Sequence, residues 1–213
     1  VLCGDLTDYG LPDEAQVLAR ELQVASPAPM IAVLGNHDFE SGAADQVRGI
    51  LEDAGVHVLD GGTHVVGGVG FAGVKGLGGG FGERALQPWG EEVMKRLVHE
   101  AVGEALKLES ALARLHTSVR VAVLHYSPIR GTVEGEPLEI FPYLGSSRLE
   151  EPINRYRVSV VFHGHAHRGA PEGLTSTGIP VYNVAMPLLT RLNPDRAPYV
   201  IVELPLSAAP GLP

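Results

Sequence analysis

Cysteine is all but missing: Cys3 is the only one in 213 residues. One thiol cannot build an internal disulfide framework or the cysteine-rich shell of a zinc ribbon. Long apolar runs are missing as well. No stretch of about 18 apolar residues occurs, so nothing in the sequence reads as a membrane-spanning helix. Positive charge is scarce: 16 Lys and Arg stand against 25 Asp and Glu, a formal net charge of −9. That balance argues against a protein that grips nucleic acid through a broad basic face. Lysine is the rarer of the two cations, a bias that says little about mechanism. There is no internal repeat and no low-complexity linker. The chain opens on Val1 rather than Met, with no signal peptide in view. A targeting segment ahead of Val1 is therefore left open, and the cytoplasm is the default placement.

What is present is a chain with 45% hydrophobic and 19% charged residues, long enough for one sizeable core. We expect a single domain over residues 1–213. Its 27 Gly and 16 Pro punctuate apolar runs rather than forming a disordered composition. Val1–Gly4 reads as the end of a strand. Asp13–Ala25 carries Ala15, Leu18, Ala19 and Leu22 at helical spacing, and Met30–Leu34 is a buried strand. Ala43–Ala54 is a helix stopped by Gly55. Val56–Leu59, Thr63–Val66 and Val69–Val74 read as strands, with Gly61-Gly62 as a hairpin turn. Lys75–Gly90 is a Gly-rich loop. Glu91–His116 is the longest helix, on a stripe running from Val93 to Leu115. Val119–Leu124, Val158–Phe162, Val181–Val184 and Tyr199–Leu204 complete the strands. Tyr126–Arg148 is a long irregular excursion, and Ser207–Pro213 a frayed tail. Alternating strands and helices favour an α/β class.

The chemistry lies just beyond each strand. The first delivers Asp5; Met30–Leu34 delivers Asn36, His37 and Asp38; Val119–Leu124 delivers His125; Val158–Phe162 leads to His163, His165 and His167. In open α/β sheets ligands collect beyond the carboxyl ends of parallel strands, so these groups are expected to meet. Carboxylate, amide and imidazole without thiolate suit Mn, Fe, Co or Zn in a site that keeps water positions open. If the segment is extended, His165 and His167 share one face, with Ala166 pointing away.

Gly4-Asp5-Leu6-Thr7-Asp8, Gly35-Asn36-His37-Asp38, His125 and Gly164-His165-Ala166-His167 resemble, in order, the successive motifs of the calcineurin-like metallophosphoesterases. The resemblance implies a four-layer α/β/β/α sandwich. It also implies two divalent ions, manganese first, with iron, zinc, cobalt or nickel as substitutes. Asp5 resembles the carboxylate that bridges both ions. Asn36, His125 and His165 resemble the other ligands of the second ion, and His167 a ligand of the first. His37 matches the family's catalytic histidine, which is not a ligand. Asp8 and Asp38 match outer positions where a carboxylate can steady an imidazole. The family's first motif, Asp-X-His, belongs on a strand before Asp5. We expect an upstream strand to carry it; without it the fold is N-terminally incomplete and the first ion site half built. Tyr126 stands where a second histidine is common, and its hydroxyl is a candidate contact to phosphate.

The activity so implied is hydrolysis of a small phosphodiester or phosphomonoester. Two cations about 3.5–4 Å apart would share and acidify a water to make the attacking hydroxide, with His37 as general acid. The rivals are a non-catalytic scaffold of the same fold and a domain that binds a single metal. Substrate and oligomeric state are not readable. His57, His64, His99 and His116 read as ordinary structural or surface histidines, and alternation turns His163 away from the site. Gly76–Gly82 lacks the Lys-Ser/Thr of a P-loop and reads as a mobile loop, or more sharply as a lid over the cleft. Phe81 and Trp89 either stack on a base or anchor that loop. Glu134, Glu136 and Glu139 read as a solvated face.

Overall fold

The computed structural model describes residues 1–25 and 27–204. In chain order the regular elements are β1 (Leu2–Cys3), α1 (Pro12–Ala25), β2 (Met30–Val33), α2 (Ala44–Asp53), β3 (Val56–Val58), β4 (Gly62–Val66), β5 (Val69–Val74) and α3 (Glu92–Ala113). There follow β6 (Val119–Leu124), α4 (Phe141–Leu144), α5 (Glu150–Arg155), β7 (Val160–His163), β8 (Glu172–Leu174), β9 (Pro180–Asn183) and α6 (Met186–Leu192). Strands β1, β2 and β3 form a parallel sheet. The second sheet runs β4-β5-β6-β7-β9-β8, parallel from β5 to β9, with β4 and β8 antiparallel at its edges.

Strand side chains alternate between faces, and here that alternation separates three cores. Ala32 and Leu34 pack with Ala15, Val47 and Leu51 under α1 and α2. Ile31 and Val33 turn the other way to meet Val121, Val123, Val160 and Phe162 of the second sheet. Ala122, Leu124 and Val161 face Leu108, Leu112 and Ile153 of α3 and α5. Three apolar seams between four layers make the α/β/β/α sandwich that the motifs imply. Both sheets present the carboxyl ends of their parallel strands to one edge. Among the described residues no helix is long and apolar enough to cross a membrane.

Several expectations are corrected. The hairpin turn is Gly67-Gly68, both at positive φ (55° and 84°), between the antiparallel β4 and β5. Two positive φ values suit a tight hairpin with right-handed strand twist. Gly61-Gly62 instead carries the chain from one sheet to the other. Tyr199–Leu204 is not a strand: Val202 and Leu204 lie against the inter-sheet core without joining a ladder. Apolar alternation there reports burial, not pairing. Val93 is exposed, and Glu104 replaces an apolar residue on the buried face of α3. The expected tail Ser207–Pro213 lies outside the described residues.

The Gly-rich loop is packed against the excursion. Gly78, Gly79 and Gly80 are buried, and Gly79 N–H and Gly80 N–H donate to the carbonyls of Pro142 (2.6 Å) and Gly145 (2.9 Å). Those amides are committed to the excursion and cannot cradle a phosphate. Phe81 packs beside Val133, Phe141 and Leu144, so it anchors the loop, while Trp89 is exposed. The excursion is ordered around that small core and two 3-10 turns, Arg130–Thr132 and Leu138–Ile140.

Candidate metal centre

Four strand ends each contribute one group to the shared edge: Asp5 after β1, Asn36 after β2, His125 after β6 and His165 after β7. Asp5 (φ 51°) and His165 (φ 67°) occupy the left-handed region, which non-glycine residues rarely enter. Strain of that kind persists where surrounding contacts force it. The approach is close enough that Gly35 tolerates no side chain: a Cβ there would collide with Asp5 N, Asp5 Oδ1 and His125 Cε1. At Gly4 a Cβ would strike the His125 ring.

The His125 ring is buried and donates Nδ1–H to the Cys3 carbonyl at 2.8 Å. A carbonyl can only accept, so this fixes the tautomer and leaves Nε2 with a lone pair. Nε2 then faces two more acceptors, Asn36 Oδ1 at 2.9 Å and Asp5 Oδ1 at 3.3 Å. Burial, with the nearby His165 charge, holds the imidazole well below its ordinary pKa, so no second proton resolves the conflict. His165 completes the set: one ligand atom each from Asp5, His125 and His165 lies within 4.8 Å of the others. Its Nε2–H donates to the Tyr143 carbonyl at 3.1 Å, which frees Nδ1, and burial lowers its pKa to about 4. Burial raises the Asp5 carboxyl, opposed by the His37 amide hydrogen bond. Neutral imidazoles, a carboxylate and an amide oxygen converging without a shared proton fit a divalent cation.

His37 sits beside this set without joining it. Its amide donates to Asp5 Oδ1 at 3.0 Å, and its ring Nδ1–H donates to the Asp8 carbonyl at 2.7 Å. That hydrogen bond raises its pKa; partial burial opposes it, and the charges of Asp5, Glu40 and Asp8 add to it. Asp8 thus orients His37 through its main chain; its exposed carboxylate stays 3.9 Å from Nδ1. Asp38 is fully buried, and its carboxylate accepts from the amides of Leu6, Thr7 and Gly35 and from the Thr7 hydroxyl. It braces the turn behind Asp5 rather than an imidazole.

His167 is exposed and lies outside the tight set, near enough for its charge to lower the Asp5 pKa. The left-handed His165 breaks the extended geometry that would align the two imidazoles. Ala166 does turn inward, to Val133 and Phe141. Tyr126 is buried with its ring centroid 4.4 Å from that of His165, and burial raises its hydroxyl to about 12. His163 is structural: buried, it donates to the Gly164 carbonyl and accepts from Thr132 Oγ1, both at 2.8 Å. His99 and His116 are exposed, and His57 stacks on His64 at 3.6 Å. Glu134 and Glu139 are exposed, while Glu136 accepts the Arg168 amide.

Two residues escaped sequence reasoning. Asn183, at the end of β9, is buried and donates to the Ala166 carbonyl at 2.8 Å, pinning the His165–His167 turn. Lys75, at the end of β5, neighbours the ligands. Applying the strand-end rule to every parallel strand finds both.

A model of the calcineurin-like phosphoesterase family matches residues 1–169, a stretch containing every candidate site residue. Among solved structures, the phosphopantetheinyl hydrolase PptH from Mycobacterium tuberculosis aligns with a TM-score of 0.68 at 18% identity, covering 99% of this chain and 87% of its own. A Staphylococcus aureus protein assigned as a 5′-nucleotidase, solved with alpha-ketoglutarate, gives a TM-score of 0.49 at 17% identity, covering 80% of this chain and 34% of its own. No curated protein matches the chain significantly. At such identity the likeness to PptH concerns the fold, and it agrees with the layered sandwich.

Proposed function

The chain belongs to the calcineurin-like phosphoesterases, and from that premise we propose that it hydrolyses a small phosphate ester, mono- or diester, at a cation held by Asp5, Asn36, His125 and His165. The supporting observation is the meeting of His125 Nε2 with Asn36 Oδ1 and Asp5 Oδ1, three lone-pair atoms with no proton between them. Asp5 with His167 offers the beginning of a second cation position. A bound divalent ion, manganese first, supplies Lewis acidity to the phosphoryl group and to water. The protein residues do the rest. Asp5 and Asn36 fix one side of the cleft, His125 and His165 the other. His37 is the proton donor: with Nδ1 tied to the Asp8 carbonyl, Nε2–H is the atom that delivers a proton to the leaving oxygen as the P–O bond breaks. The hydrogen bond to the Asp8 carbonyl favours its protonated form, and the charges of Asp5, Glu40 and Asp8 add to it.

Loaded with Mn²⁺, the chain should cleave a generic aryl phosphodiester or monoester. His37→Ala should retain its metal yet lose about 10²–10⁴-fold in turnover on an ester with a poor leaving group. His165→Ala should instead bind less metal. A wild-type chain that takes up metal and cleaves neither ester class would leave a single-cation binding domain, a reading that the outlying position of His167 also suits. Near-full turnover by His37→Ala would remove that residue from the role.

A further inference from the structure

β5 lies parallel to β6, and the chain leaves its end through Lys75. The Lys75 main chain already serves the site: its carbonyl accepts the amides of His125 and Tyr126, both at 3.1 Å. Its side chain is half-buried, with Nζ 5.5 Å from the Phe39 ring centroid and 5.4 Å from that of Tyr126. Phe39 and Lys75 line a groove with Asp45, Arg48, Asp60, Glu100, Glu104 and Lys107. Phe39 follows Asp38 in the turn that carries His37, and the Tyr126 ring neighbours those of His125 and His165. Nζ donates one hydrogen bond, to the Gly76 carbonyl at 2.8 Å. An ammonium has three donors, and among the described residues no carboxylate forms a salt bridge with this one. Of the three acids nearest in charge, Glu104, Asp60 and Glu100, the first two are engaged elsewhere. Glu104 holds the Gly76 amide and the Lys107 ammonium, and Asp60 holds Lys107 and Arg48. Burial lowers the Lys75 pKa, and the charges of Glu104 and Glu100 oppose that shift from a distance.

A cation against aromatic faces is attracted to them without being neutralised. Lys75 therefore holds a charge without a salt-bridge partner, and its remaining donors, one aromatic ring away from the candidate ligand His165, which is the chemistry that takes an anionic oxygen. We propose that Lys75 is a substrate-binding residue of this site, its ammonium contacting a non-bridging oxygen of the phosphate ester. The assignment rests on the phosphoesterase reading and adds the substrate's charge as the feature recognised. A phosphomonoester, with its second negative charge, depends on Lys75 more than a diester does.

The experiment measures inorganic phosphate binding to the Mn²⁺-loaded protein by isothermal titration, with Lys75→Met and Lys75→Arg beside the wild type. Metal content, melting temperature and kcat/KM for an aryl monoester and an aryl diester are followed in parallel. Lys75→Met should bind phosphate about 10- to 100-fold more weakly, as loss of a charge-assisted hydrogen bond implies. Its metal content and melting temperature should hold, its monoester kcat/KM should fall further than its diester kcat/KM, and Lys75→Arg should recover part of the loss. Unchanged phosphate affinity in Lys75→Met overturns the assignment, and so does a loss that tracks falling metal content. In either case the hydrolase reading stands wherever the wild type cleaves ester. Lys75-dependent phosphate binding by a wild type that cleaves nothing has the opposite meaning: the contact holds and the hydrolase reading falls.

Discussion

The Asp38 carboxylate is fully buried and divided among four donors: the amides of Leu6, Thr7 and Gly35, and the Thr7 hydroxyl. Truncating it would strand them, and a buried donor left without a partner costs about 1–3 kcal/mol. Asp38→Ala is therefore expected to lower unfolding free energy by at least about 3 kcal/mol in denaturant titration, and to weaken metal retention by loosening the turn behind Asp5. Melting and metal retention equal to wild type would show that the brace is dispensable. The motif marked Asp38 as a supporting residue, but the sequence could not say what it supports, because three of its four donors come from Leu6 and Thr7, in the turn after a different strand. The same blindness hid Lys75. A lysine opening a run of glycines reads as loop, and only the β5–β6 pairing puts it beside His125. His125 and His165 were legible as candidate ligands because the motifs carry them; the left-handed turn at His165 was not, since no glycine or asparagine stands at that position.

Between the sheets the chain crosses at Asp60, Gly61 and Gly62, and Asp60 ties the crossing down. Its carboxylate meets Arg48 of α2 at 3.2 Å and Lys107 of α3 at 3.0 Å, linking one outer layer to the other. Partial burial pushes its pKa up, but Lys107 and Arg48 outweigh that and the net shift is downward. A folded pKa below the unfolded one means the stabilisation is present above the ordinary aspartate range and is lost as pH falls through the lowered value. Asp60→Asn should thus lower the melting temperature at neutral pH by the equivalent of under about 1 kcal/mol, since the pair is partly solvated. The gap from wild type should narrow in acid; a gap that stays constant with pH would mean the loss is steric. The longer elements were legible from apolar spacing: α1, α2, α3 and the central strands fall within a few residues of expectation. Spacing could not choose which glycine pair makes the hairpin, because both flank apolar strands and only sheet membership separates them. Nor could it tell the packed stretch around Val202 and Leu204 from a strand, since burial alone generates the alternation.

Taken whole, the molecule is two sheets that share one cleft. Asp5 and Asn36 come from the first sheet, His125 and His165 from the second, so a cation held by all four bridges the sandwich. Ligand that binds only the folded state stabilises it by about 2.7 kcal/mol at a hundred times its dissociation constant. Chelation should accordingly lower the melting temperature of wild type and leave His165→Ala nearly unmoved, as calorimetry with and without chelator would show. Equal shifts in both would place the cation elsewhere. The layered architecture was legible only through the motifs, since periodicity alone reached no further than an α/β class. The first sheet is complete by Val58, while the last donor waits for β7 to emerge. A growing chain therefore offers an ion half a grip, and contacts so distant along the backbone form late. Were all four groups to hold an ion, loading would be a final latch, closed once the polypeptide has already found its shape, rather than a seed around which it collapses.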